Sequence, residues 1–135
     1  MIIILDSNEY INYFNKKDLL DKVFSNQDIL IYINDIIIRE VIRNLKELQI
    51  KEFYNLIFNK NINFYGHKMP LQLLAKYKKL GLKKGEIAIA AFCESISADY
   101  LVTENRHFLK SKKFDRFEVL SLRKFLDKSR EQTRY

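Results

Sequence analysis

The chain has 135 residues, 47% hydrophobic and 30% charged, a balance that supports one buried core and excludes a low-complexity or disordered chain. Lys and Arg outnumber Asp and Glu by 24 to 17, and the resulting +7 favours a polyanionic partner without identifying one. The single cysteine, Cys93, excludes an internal disulfide and fits a reducing compartment as a buried structural thiol.

The opening Met-Ile-Ile-Ile-Leu stops at Asp6, far short of a signal sequence or a spanning helix. A cytoplasmic protein with no membrane association is expected. Residues 2–5 form a β-branched run suited to a strand covered on both faces. Asp6, Ser7 and Asn8 then supply helix-capping side chains ahead of Tyr10, Ile11, Tyr13 and Phe14 at helical spacing.

Residues 29–33 read as a second extended segment. Asn34 or Asp35 caps a helix carrying Ile37, Ile38, Val41, Ile42 and Leu45, with Leu48 continuing its apolar face. A further helix is expected over 52–58, a strand over 61–65 ending at Gly66, and a helix through Leu71, Leu74, Ala75 and Tyr77 stopping near Gly81. Gly85 and Glu86 open an alanine-rich helix over 87–95. Residues 100–102 and 117–120 read as strands, with a short helix over 122–126. A single domain over 1–126 is therefore expected, with a polar tail over 127–135. Strands alternating with helices imply right-handed crossovers, hence an α/β fold with a mostly parallel sheet.

Ligands of such sheets bind outside the carboxyl ends of the strands, and that rule sorts the acids. Asp6 directly follows the first strand, where it is either a site carboxylate or a helix cap. Glu40 lies near an apolar face of its helix, free for a ligand or paired with Arg39, Arg43 or Asn44. Glu86 opens its helix, where the dipole favours an acid whatever its role, but a parallel crossover puts that end over the same edge. Thr103, Glu104 and Asn105 leave the strand over 100–102 there too. Asp99 precedes that strand, roughly 20 Å from Asn105 along extended chain, and reads as structural.

Oxygen donors at a sheet edge suit a hard cation such as Mg²⁺. Two histidines and one cysteine without paired spacing give no zinc site, and no glycine-rich phosphate loop occurs. His107 reads as a structural surface histidine. Among the basic residues Lys76, Lys78, Lys79, Lys83 and Lys84, the position of Lys79, Lys83 and Lys84 beside the acids favours polynucleotide binding over a merely solvated face.

Four segments together resemble the PIN domain family: Ile-Leu-Asp6-Ser7-Asn8; Ile-Ile-Ile-Arg-Glu40-Val-Ile-Arg-Asn-Leu; Gly85-Glu86-Ile-Ala-Ile-Ala-Ala; and Ala-Asp-Tyr-Leu-Val-Thr103-Glu104-Asn105-Arg-His-Phe108. The resemblance spans residues 2 to about 120, and the family includes VapC-like ribonucleases, the toxins of toxin–antitoxin pairs. It implies a three-layer α/β/α sandwich and an endoribonuclease that uses Mg²⁺ or Mn²⁺. Asp6, Glu40, Glu86 and Asn105 would be its catalytic and metal-binding residues, supported by Ser7, Asn8, Thr103 and Glu104. Glu86 stands where Asp is usual, and Asn105 where Asp or Asn occurs. RNA, an antitoxin protein and a second copy of the chain are the partners implied. Two rivals are a catalytically weak RNA- or protein-binding module and a phosphoacceptor receiver domain, the latter lacking an acidic pair ahead of a phosphorylatable Asp.

Overall fold

The computed structural model describes residues 1–16, 19–111 and 114–133. Its elements are β1 (Ile2–Leu5), α1 (Ser7–Lys16), α2 (Leu20–Phe24), β2 (Leu30–Ile33), α3 (Asp35–Arg43), α4 (Glu47–Asn59), β3 (Ile62–Phe64), α5 (Leu71–Lys79), α6 (Lys84–Ser95), β4 (Tyr100–Val102), α7 (Arg106–Lys110), β5 (Glu118–Leu120) and α8 (Leu122–Thr133). The five strands form one sheet in the order β3-β2-β1-β4-β5, and every pairing is parallel.

Burial of consecutive strand residues explains the unbroken apolar runs. Ile3, Ile4 and Leu5 are fully buried, as are Leu101 and Val102, because the central strands are covered on both faces. Right-handed crossovers put the helices that link β1, β2 and β3 over one face, and those from β3 through β4 to β5 over the other. The aromatic contacts follow this division: Tyr10 and Phe14 of α1 meet Phe53 of α4, while Tyr77 of α5 meets Phe117 beside β5. Strand order reverses between β1 and β4, so the crevice of this sheet opens at the carboxyl ends of those two strands.

Several boundaries differ from the sequence reading. The second predicted helix stops at Arg43, where the Asn44 side chain folds back to donate to the Glu40 carbonyl at 2.9 Å. Leu48 therefore continues no face of α3. It sits on α4, which begins at Glu47 rather than 52, and is 79% exposed. The short helices α2 and α7 had no counterpart in the reading; α2 is anchored by buried Leu20, Val23 and Phe24 at helical spacing. Helix α8 runs to Thr133, through most of the stretch read as a polar tail; residues 134–135 lie outside those described. Buried Leu122 and Phe125 hold its first turns, and Lys128 pairs with Glu118. No helix among the described residues is long and apolar enough to cross a membrane.

Candidate functional site

Asp6 leaves β1 at the crevice, its amide bonded to the Val102 carbonyl at 3.0 Å. Its side chain is buried and held on both oxygens. Oδ1 accepts from the Ser7 amide at 2.8 Å, and Oδ2 accepts from the Thr103 hydroxyl at 2.7 Å. Thr103, fully buried, accepts in turn from the Asn105 amide at 3.0 Å, so one hydroxyl ties the ends of β1 and β4 together. Burial raises the Asp6 carboxyl above its ordinary range; the Thr103 and Ser7 bonds oppose this, and repulsion from Glu86 adds slightly to it.

Glu86 enters from the first turn of α6. Its Oε1 accepts from the Lys83 amide at 2.9 Å and lies 2.7 Å from His107 Nδ1, while Oε2 accepts from Asn105 Nδ2 at 3.2 Å. Burial works against the charged form, but these three partners outweigh it and hold the carboxyl below its usual range. Asn105 also caps α7, its Oδ1 accepting from the His107 amide at 2.9 Å. Glu40 contrasts with both acids. It is exposed, and its carboxylate has no partner among the described residues, because Arg39 pairs with Asp35 instead.

Asp6, Glu40, Glu86 and Asn105 line one cavity of about 290 Å³, with Asn8 and Lys83 in its wall. No three His, Cys, Asp or Glu side chains among the described residues stand close enough to grip a bare metal ion. The cavity nevertheless has room for several waters at about 30 Å³ each. Its donors are oxygens, which suits a hard cation that keeps part of its hydration shell.

The remaining sequence candidates separate. Glu104 turns from the cavity and accepts from the Leu122 amide at 3.1 Å, capping α8. Lys84 lines a different cavity, Lys79 lines neither, and Lys76 is engaged by Glu94 at 2.6 Å and Asp115 at 3.3 Å. Asp99 sits at the opposite sheet edge and accepts from the Ile2 amide at 2.7 Å, a structural role. Cys93 is fully buried.

Two residues outside the cavity lining act on its acids in ways the sequence reading did not name. His107 holds Glu86 rather than standing alone on the surface. Glu9 is 4% exposed, its buried Oε1 unpartnered among the described residues, and burial, then Glu104 and Asp6, push its pKa up to about 7. The signal for Glu9 was its place three residues after Asp6, on the same side of the first helical turn.

No family model and no curated protein matches the chain. Among solved structures, the T. brucei RRP44 PIN domain matches with a TM-score of 0.64, over 98% of this chain and 82% of that one, at 10% identity. The chain has the PIN-domain fold. In this PIN-fold chain the acid cavity lies at the β1/β4 crevice, where the strand order directs ligands.

Proposed function

We propose that the chain is a metal-dependent endoribonuclease hydrolysing RNA phosphodiester bonds. The observation that carries this reading is the convergence of Asp6, Glu40, Glu86 and Asn105 on one cavity at the carboxyl edge of a PIN-type sheet. Asp6, Glu40 and Glu86, with Asn105, would hold Mg²⁺ or Mn²⁺ through its hydration shell. A divalent ion bound there supplies charge neutralisation at the scissile phosphate and a water of lowered pKa.

The protein's own part is positioning. The Ser7 and Thr103 bonds fix Asp6 before any ligand arrives, and Lys83, Asn105 and His107 do the same for Glu86, so little reorganisation is left for binding. Glu40, unpaired and exposed, is free to reach toward a ligand. Lys83 in the cavity wall and the overall charge of +7 favour a polyanion at its mouth.

The finer reading, supported by the sequence resemblance, is a VapC-like toxin that works in the cytoplasm, is held by an antitoxin protein and pairs with a second copy of itself. A second reading, an RNA-binding module without cleavage, draws on Glu86 being already engaged by three partners. Asp6→Asn separates the two. On the nuclease reading, RNA cleavage in Mg²⁺ or Mn²⁺ falls at least about 100-fold, on the scale of a lost catalytic group, while salt-sensitive RNA binding persists. RNA bound by the unchanged chain but left uncut in Mg²⁺ and Mn²⁺ would sink the nuclease reading, and cleavage that survives both this change and EDTA would sink its metal dependence.

A further inference from the structure

Lys83 stands where two rules of helix structure argue against a lysine. It is the N-cap of α6, and a lysine side chain has donors but no acceptor to offer the free amides of the first turn. Its charge also sits at the helix end where the dipole favours anions. The backbone around it is fixed: Leu82 is buried, the Lys83 amide donates to Glu86 Oε1 at 2.9 Å, and the Lys83 carbonyl accepts from the Ile87 amide at 2.8 Å. Lys83 is thereby held in the wall of the acid cavity, the one cationic residue among the described residues that line it. Its ammonium forms no ion pair with Asp6, Glu40 or Glu86.

We propose that Lys83 is a catalytic residue of the nuclease, its ammonium contacting a non-bridging oxygen of the scissile phosphate and neutralising charge that grows there in the transition state. The inference deepens the nuclease reading and rests on it. Against three acids even a divalent cation leaves the cavity negative, and a phosphate brought to it adds a further charge. A cation of the chain's own is needed at that phosphate, and Lys83 is the one the cavity wall supplies. An ammonium paired with Glu40 or Glu86 would have its charge cancelled in place; Lys83, unpaired with them, keeps its charge for an incoming anion. Fixed by its backbone, it meets the phosphate with little reorganisation. A residue that suits its structural position poorly is expected where function holds it. Position in the wall also separates Lys83 from Lys79 and Lys84, which do not line this cavity.

Lys83→Ser moves the structural and the chemical readouts in opposite directions. Serine is a favoured N-cap, so the melting temperature in EDTA is expected to rise by a few degrees; a fall would assign Lys83 to the fold and overturn the proposal. With Mn²⁺ and saturating RNA, the cleavage rate is expected to drop about 100-fold, the scale of one lost transition-state donor. RNA affinity measured in EDTA should drop less than about 10-fold, and the salt dependence of that binding by about one phosphate contact. The rise in melting temperature that Mn²⁺ produces should persist, because no acid has been changed. Lys83→Arg keeps the charge and should cleave well above the serine variant. A serine variant that cuts at the parent's rate, a loss of cleavage no larger than the loss of affinity, or a lost Mn²⁺ response would each overturn the proposal. Should the parent bind RNA and leave it uncut in Mn²⁺, the nuclease reading falls and the catalytic role with it. The salt slope then judges the phosphate contact by itself, and equal slopes in parent and variant refute it.

Discussion

Asn105 differs from an aspartate at one side-chain atom, and that atom donates to Glu86 Oε2 at 3.2 Å. With Oδ1 capping α7 and Nδ2 on Glu86, the amide joins the start of α7 to the start of α6. An aspartate would keep the cap, lose the donor and set a second negative charge against Glu86. Asn105→Asp is therefore expected to lower stability in EDTA by about 1–3 kcal/mol, the scale of a hydrogen bond to a charged group. The extra carboxylate should also enlarge the rise in melting temperature that Mn²⁺ produces. Thermal melting of both proteins with EDTA and with Mn²⁺ checks this, and a variant as stable as the parent in EDTA would deny the bond its role. The positions of Asp6, Glu86 and Asn105 along the chain were legible because each stands at the end of a strand or the start of a helix. The bonds of His107 and Glu104 were not, because each depends on a partner about 20 residues away on another element.

At the scale of elements, α6 does most to position the site. Its first turn carries Glu86, and Ala90, Ala91 and Phe92 behind it are fully buried, so the helix is covered by its neighbours along this stretch. Ala90→Leu should overpack that contact, cost about 1–3 kcal/mol and shift Glu86 relative to Asp6. A lower urea midpoint at unchanged slope, together with reduced cleavage, is expected; a midpoint equal to the parent's would mean the contact has room to spare. The core elements were readable from the sequence for this same reason. Strands buried on both faces need continuous β-branched runs, and a helix this close to its neighbours needs alanines. Where an element is short or its face polar, as in α7 and the outer turns of α8, packing decides the helix and the pattern carries little of it. Leu48 misled for a related reason: an apolar residue beside a helix end suits either neighbouring helix, and only the Asn44 stop settles which.

The whole molecule carries a net charge of +7, and rising pH should relieve its self-repulsion and stabilise it. Glu9 predicts the opposite trend across the weakly acidic range. Its pKa is raised from 4.5 to about 7 in the folded protein, so below 4.5 both folded and unfolded chains carry the proton and the full stability is present. Between 4.5 and about 7 the unfolded chain releases that proton first, and stability falls as pH rises, by up to about 3 kcal/mol. Asp6, also raised, acts in the same sense. Glu86, whose carboxyl is lowered, acts in the other: its contribution is present above 4.5 and is lost as pH drops through its folded value, below the window that Glu9 governs. In EDTA the melting temperature should therefore decline from about pH 5 to about pH 7.5. Glu9→Gln removes the ionisable group, raises the melting temperature at neutral pH and flattens most of that decline. Parallel pH profiles for the two proteins would place the source of the trend somewhere other than Glu9.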